Sequence, residues 1–146
     1  MLKQHLNKAT NSDFFLADEA DFHKALKNSQ NHLKFIWNRD VSPLDIMVDG
    51  SVVTLLPNHI LCCTYVQNVQ CESAVDTKLL FLSFNKAFYC IHTNDAEVSC
   101  SGLLFFGTDF APVIHIDNHE QQRLDTLAGV LEEEFETVDG NQEEML

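Results

Sequence analysis

Seven histidines are the first residues in this chain to suggest metal binding. A closed metal site needs three or four convergent ligands at defined distances. Five of the histidines are scattered along the chain, while His115 and His119 are four residues apart but straddle a predicted strand-to-helix junction. Without a continuous helix, an i,i+4 pair does not present two ligands on one face. The sequence therefore predicts neither a metal site nor a cofactor.

Serine and glutamate side chains could support catalysis, but their pattern does not favour it. The chain has no G-x-S-x-G turn, and no motif gives Ser83 or Ser101 a histidine partner. Four glutamates between positions 132 and 136 fall on one predicted helix, a pattern typical of a solvated face. We therefore expect no catalytic residues and no enzymatic activity.

Aromatic side chains spread over several predicted strands are more informative. Phe35, Trp37 and Tyr65 belong to this group, together with Phe81, Phe84, Phe88 and Tyr89. A barrel of about eight strands has an interior just wide enough for one small ligand, and Trp and Tyr add a polar group to their apolar contact. Arg39 follows Trp37 by two residues, so alternation places both on one face, where an inward guanidinium could bind a carboxylate or phosphate. Simple core packing is the other interpretation of these aromatic residues.

The elements that would position these residues are predicted to be short strands. Turn residues recur at intervals of about ten positions from Phe14 to about Ile116, which is typical of an all-β sandwich or barrel. Asp49-Gly50 favours a type I′ hairpin turn and Pro57-Asn58 a second turn. The predicted strands are 33–38, 44–48, 51–55, 60–66, 78–84, 98–106 and 113–116. The strand 78–84 is nearly all apolar, as in a strand buried on both faces.

The periodicity changes after Asp117 and predicts an amphipathic helix over about Asn118–Val138. Asp117 can cap its first turn, with Glu120 three residues on. The apolar positions at helical spacing are Leu124, Leu127, Leu131 and Phe135, with Val130 and Val138 to the side. Because this arc is wider than packing on a barrel requires, we expect the helix to dimerise the chain through Leu124, Leu127, Val130, Leu131 and Phe135.

Composition narrows the possible partners and location. With 146 residues and 45% apolar content the chain fits one domain. Its net charge of −13 disfavours direct binding to nucleic acid, which depends on clustered Lys and Arg. Since neither a secretory signal nor an apolar stretch of membrane-spanning length is present, we expect a cytoplasmic protein without a membrane partner. The odd number of cysteines, without a C-x-x-C pair, favours reduced buried thiols.

Four segments resemble AraC-type transcriptional regulators, and the last three of them resemble the sensory domain of one subgroup. They are D-G-S-V-V-T-L-L-P-N-H-I-L (49–61), L-F-L-S-F-N-K-A-F-Y-C-I-H (80–92), E-V-S-C-S-G-L-L-F-F (97–106) and P-V-I-H-I-D-N-H-E (112–120). The resemblance covers about Leu33 to the C-terminus. It implies a mainly β, cupin-like barrel (a double-stranded β-helix or jelly roll) followed by an amphipathic helix, and an N-terminal sensory and dimerisation domain.

The resemblance also implies an organisation and a site. Residues 1–30 would form an N-terminal arm and first strand, 31–117 the barrel, and 118–146 a linker helix that ends before a DNA-binding helix-turn-helix part. A small-molecule effector would bind in the barrel, at Phe35, Trp37, Arg39, Tyr65 and Gln70. The H-x-H pair of metal-binding cupins is absent from Tyr65–Gln70, and Gln70 falls near a histidine common in related regulators. The chain would be a homodimer that contacts DNA only through the missing C-terminal part.

Two alternatives stay open at the level of sequence. One is a metal-free cupin enzyme of the sugar isomerase or epimerase type, in which an inward His or Tyr acts as acid or base. A perturbed histidine beside a carboxylate inside the barrel would favour it. The other is a barrel that binds no ligand and serves only for dimerisation, which a solid interior would favour.

Overall fold

The computed structural model describes residues 2–9, 11–64, 67–71, 77–85 and 113–136. Within these ranges the predicted mainly β architecture is confirmed, because nine strands form two antiparallel sheets. The predicted strand 98–106, the last residues of the predicted strand 60–66, and Val138 lie outside the described residues. In the described part of the chain, no helix is both long enough and apolar enough to cross a membrane.

The described strands of the larger sheet are β1 (Leu2–Asn7), β2 (Ser12–Asp18), β3 (Leu33–Asn38), β6 (His59–Cys63), β8 (Leu79–Phe84) and β9 (Val113–His115). Those of the smaller sheet are β4 (Leu44–Val48), β5 (Ser51–Leu55) and β7 (Val69–Gln70). The order in the larger sheet is β1-β2-β8-β3-β6-β9, and in the smaller sheet it is β5-β4-β7. Two helices complete the described structure: α1 (Phe22–Asn28) and α2 (Asn118–Glu136).

The predicted hairpin is confirmed in β4 and β5. Val48 pairs with Ser51 across a two-residue turn. Asp49 and Gly50 both have positive φ, at 51° and 82°. These are the backbone angles that a type I′ turn requires, and aspartate and glycine adopt them at low strain.

The first thirty residues contribute to the main sheet and core. Strands β1 and β2 form a hairpin, and β2 pairs with β8 from Phe14↔Phe84 to Asp18↔Leu80. Helix α1 buries Phe22, Ala25 and Leu26. These three residues stand at i, i+3 and i+4, a helical signal that the sequence carried although no helix was predicted there.

The main core lies between the two sheets and beneath α1. The larger sheet contributes Ile36, Leu61 and Phe81, which are fully buried. The smaller sheet faces them with Ile46, Leu55 and Val69, and α1 adds Phe22, Ala25 and Leu26. These buried side chains fill the space between the two sheets.

The opposite face of the larger sheet, here called the outer face, packs against α2. The predicted cap is confirmed, since the Glu120 amide donates to Asp117 Oδ1 at 2.8 Å. From this start, α2 places the buried Ala128 and the half-buried Leu124, Leu131 and Phe135 against the sheet. Strand β8 is therefore covered on both faces, as its apolar sequence predicted.

Candidate functional site

Alternation along β3 separates two groups of side chains. Ile36 points into the core between the sheets, whereas Phe35 and Trp37 point to the outer face. On that face they join Leu16, Leu80 and other apolar residues of the neighbouring strands. Two of the aromatic residues predicted to bind a ligand, Phe35 and Trp37, are thus next to α2 and not in the sandwich interior.

A cavity of about 250 Å³ lies between the outer face and α2. Its sheet side consists of Phe35, Trp37, Ile60, Leu80 and Leu82, and its helix side of Leu124, Leu127, Ala128 and Leu131. Among the described residues, every one that lines this cavity is apolar or aromatic. The volume is just below the range of about 300–1,000 Å³ usual for ligand sites, so the cavity matches a small apolar molecule or part of a larger one.

Trp37 is held in this cavity by two contacts. Its indole Nε1 donates to Asn58 Oδ1 at 3.2 Å. The Arg39 guanidinium lies 4.8 Å from the ring centre, within cation–π distance. Arg39 in turn donates from Nη2 to Asp125 Oδ1 of α2 at 2.7 Å. Trp37 is therefore connected to α2 through Arg39.

The structure brings some predicted ligand-binding residues together and separates others. Phe35 and Trp37 line the cavity, and Arg39 covers Trp37 from the side. Arg39 and Trp37 share a face, as predicted, and this face packs against α2 rather than against the smaller sheet. Gln70 is exposed on β7 of the smaller sheet, where it pairs with Met47. Tyr65 lies outside the described residues.

The predicted dimerisation residues divide into two sets. Leu124, Leu131 and Phe135 face the sheet, and Phe135 packs on Phe14 with ring centres 5.2 Å apart. Leu127 and Val130 remain 52% and 47% exposed. Leu127 lies at the outer rim of the cavity, with part of its side chain in the cavity wall. Leu127 and Val130 leave an apolar strip on the surface of α2.

The cavity is bordered by two further pockets. An apolar pocket of about 300 Å³ shares Phe35, Ile60 and Leu124 with it and extends to Ile114 and Ile116, with Glu120 and Arg123 at its edge. A polar pocket of about 350 Å³ shares Leu80 with the cavity; it is lined by Arg39 and Lys78 together with the carboxylates of Asp18, Glu19, Asp125 and Glu132. The apolar surface along the sheet is therefore longer than the first cavity alone.

A buried polar cluster lies on the other face of the sheet, below α1. His32 Nδ1 is 3.3 Å from Ser83 Oγ, and His32 Nε2 is 3.5 Å from Asp13 Oδ2. Ser83 Oγ also lies 2.8 Å from Ser29 Oγ, which donates to the Ala25 carbonyl. Burial lowers the pKa of His32, an effect that the Asp13 carboxylate opposes. No sequence motif indicates this Asp–His–Ser arrangement, because Asp13 lies in β2, His32 just before β3 and Ser83 in β8.

This arrangement resembles a catalytic triad in residue types but not in access. Ser83 and Ser29 are fully buried and His32 is 6% exposed. A catalytic hydroxyl must reach a substrate, whereas that of Ser83 is enclosed by Ser29 and His32. The contacts instead satisfy buried polar atoms between α1, β2 and β8.

Lys34 is a buried base beside this cluster. It is 1% exposed, and its Nζ donates to the carbonyls of His32 at 2.9 Å and Gln30 at 3.4 Å. Burial lowers its pKa to about 8. Cys62 and Cys63 are buried free thiols, as expected for reduced cysteines, and burial raises the pKa of each to about 12. Thiols with a raised pKa are poor nucleophiles at neutral pH.

No group of three or more His, Cys, Asp or Glu side chains within the described ranges is arranged to hold a metal ion. The candidate site is therefore the apolar cavity under α2. No protein-family model matches the chain, and comparison with curated proteins finds no match either.

Proposed function

We propose that this chain is the effector-sensing and dimerising part of an AraC-type regulator, and that the effector binds in the cavity between the outer face and α2. The observation that carries the proposal is the composition of the cavity wall. Phe35, Trp37 and Leu80 come from the sheet, whereas Leu127 and Leu131 come from the helix. A ligand in this cavity contacts both elements at once. The cupin-like topology and the regulator family belong to the same proposal and are supported by the sequence resemblance.

The cavity offers a route from ligand binding to assembly. Leu127 belongs both to the cavity wall and to the exposed strip that it forms with Val130. A ligand that favours one position of α2 must bind that arrangement more tightly than the alternative. In the proposed regulator, this position sets how two chains pair and how their DNA-binding parts are spaced.

The lining defines the class of effector. The described part of the wall contains no charged group, so an ion would have to keep its charged end outside, because burying an unpaired charge is strongly unfavourable. The effector is therefore a largely apolar molecule. Arg39 is already paired with Asp125, so a ligand carboxylate would have to compete with a hydrogen bond of 2.7 Å.

Trp37 provides a direct test, since it is the only tryptophan of the chain. We expect the fluorescence of Trp37 to change saturably when a neutral apolar probe that does not itself fluoresce, such as decanol, is added. Ala128→Leu, which adds a side chain to the cavity wall, should weaken binding at least about tenfold, equivalent to about 1.4 kcal/mol. Gly129→Leu is the matched control, because no atom lies within 4 Å of a Cβ at that position.

Equal binding by both variants would contradict the location of the site. Absence of any saturable signal with the wild-type chain would contradict ligand binding in this cavity and favour a domain used only for dimerisation.

The alternative of a metal-free isomerase has one observation in its favour, the His32–Asp13 pair. Acid–base catalysis by His32 requires that a substrate come within hydrogen-bonding distance of its ring. Both ring nitrogens already face protein groups, Ser83 and Asp13. A sugar isomerisation activity that His32→Gln abolishes while the chain remains folded would favour this alternative.

A further inference from the structure

We propose that His59 and His115 form an open, two-histidine binding site for a late first-row divalent metal ion such as Ni(II) or Zn(II). The two residues are direct partners in the antiparallel pairing of β6 and β9. Their ring centres are 4.7 Å apart, with an angle of 44° between the planes. The proposal is independent of the function proposed for the cavity under α2.

The first argument is the position of the pair. Directly opposed residues of an antiparallel pair have Cβ atoms about 4.5–5.5 Å apart and point to the same side of the sheet. Their imidazoles can therefore reach one ion between them. His115 is exposed and His59 is partly exposed. A metal ion can consequently enter from solvent without opening the core.

The second argument is the hydrogen bond that orients His59. Its Nδ1 lies 2.9 Å from the carbonyl oxygen of Pro57. Because a carbonyl can only accept, Nδ1 carries the proton and Nε2 presents its lone pair. An imidazole that donates from one nitrogen to a backbone carbonyl and binds a metal through the other is the usual arrangement of metal-bound histidine. The position of the Pro57 carbonyl thus fixes the tautomer that metal binding needs.

The third argument concerns the metal. Neutral imidazole nitrogens suit zinc, copper and nickel, whereas magnesium and calcium prefer oxygen ligands. No third protein ligand completes a cluster among the described residues, so water would fill the remaining coordination positions. The site is therefore an open one of modest affinity that exchanges its metal readily. The bound ion would link β9 to β6 immediately before the Asp117 cap of α2.

The test uses the full chain and Ni(II) or Zn(II) added as simple salts. Isothermal titration should show one saturable site, and Ni(II) should broaden the imidazole proton resonances of His59 and His115 before those of other histidines. His59→Gln and His115→Gln should each weaken metal binding at least about tenfold. Even the loss of a residue that only hydrogen-bonds to a metal ligand typically weakens metal affinity by about this much. The double variant should lose little more, because the two ligands act as one chelate.

His119→Gln is the matched control, since His119 is exposed and only four residues from His115 but has no place in the β6–β9 pair. It should bind the metal as the wild type does. Far-UV circular dichroism establishes that each variant is folded. Wild-type chain without saturable binding, or binding that survives in both His59→Gln and His115→Gln, would overturn the proposal.

Discussion

Lys34 is the residue whose burial has the clearest consequence for stability. Its pKa is about 8 in the folded chain against an ordinary value of 10.5, so the unfolded state binds more protons between these two values. The free energy of unfolding therefore gains a contribution that grows as pH rises from about 8 to 10.5. Below pH 8 the charged, buried amine lowers stability by about 3 kcal/mol relative to a neutral one.

We expect Lys34→Met to remove this dependence. Urea unfolding at several pH values from 7 to 10.5 should show the wild type gaining stability relative to the variant as pH rises. Cys62 and Cys63 act in the opposite direction, because their raised pKa makes the folded chain lose stability above about pH 9. Both thiols remain in Lys34→Met, but Lys34 also opposes the burial that raises the pKa of Cys63, so the difference between the two proteins reports the amine itself at pH 7 to 9, before the thiols contribute. A difference independent of pH would contradict this account.

Asn58 is the residue that joins the cavity to the start of α2. Its side chain accepts from Trp37 Nε1 and donates to the Ile116 carbonyl, and its backbone has a positive φ of 59°. Asn58→Gly should cost about 2 kcal/mol in the free energy of unfolding, because two hydrogen bonds are lost while the backbone angle is kept. Asn58→Ala should cost about 1 kcal/mol more, because alanine is strained at this angle.

Chemical denaturation measures both values, and the emission maximum of Trp37 reports whether the indole loses its partner. If Asn58→Gly were as stable as the wild type, the hydrogen bonds of the Asn58 side chain to Trp37 and Ile116 would make no net contribution to stability.

At the scale of elements, the apolar residues of α2 differ in how far they are buried against the sheet. Leu131 faces the cluster of Trp37, Leu80 and Ala128, whereas Val130 is 47% exposed one position earlier. Leu131→Asp should therefore destabilise the chain by several kcal/mol through a buried unpaired carboxylate. Val130→Asp should change stability by no more than about 0.5 kcal/mol in the monomer. Thermal unfolding of the two variants provides the comparison, and equal losses would contradict the assigned orientation of α2.

Local patterns predicted these elements well where one interaction dominates. Asp49-Gly50 specified its turn, and Asp117 specified the start of α2, because each depends on neighbouring backbone angles or amides. The apolar sequence of β8 likewise indicated a strand covered on both faces. Helix α1 was missed because its seven residues give only one helical repeat of Phe22, Ala25 and Leu26.

The site was harder to predict because it depends on which face of the sheet meets which layer. The alternation of side chains along β3 correctly placed Phe35 and Trp37 on one face of the sheet. It does not predict whether a second sheet or a helix covers that face. The contact between Arg39 and Asp125 joins residues 86 positions apart, which no local pattern could reveal. Gln70 was assigned from a family position, while its exposure follows from the burial of its neighbour Val69.

At the scale of the whole molecule, charge limits the partners. The net charge of −13, to which the glutamates of α2 contribute, repels a polyanion such as DNA. Tight binding of DNA depends on Lys and Arg side chains that neutralise phosphates and thereby release counterions. We expect no mobility shift of duplex DNA with this chain alone at physiological salt and micromolar protein. A sub-micromolar complex under these conditions would contradict the prediction.

Self-association is the property that tests the proposed role of α2 most directly. The surface strip of Leu127 and Val130 has no packing partner that buries it in the described part of a single chain, and a C2 dimer would pair this strip with its own copy. Light scattering should detect a dimer for the wild type at about 100 µM, a concentration at which an association free energy of about 5.5 kcal/mol already gives a substantial population of dimer. Val130→Asp and Leu127→Asp should be monomeric yet folded, because each places its charge in solvent when the chains separate.

Salt provides a second measure of the same interface. Because both partners are acidic, raising the salt concentration should strengthen the dimer by screening their repulsion, whereas a dimer held by ion pairs would weaken. Gln122→Asp is the matched control at another exposed position of α2, about two turns before Val130 and on a different side of the helix from Leu127. A wild-type chain that remains monomeric at every salt concentration, or a Gln122→Asp variant as impaired as Val130→Asp, would exclude the Leu127–Val130 strip as the dimer interface.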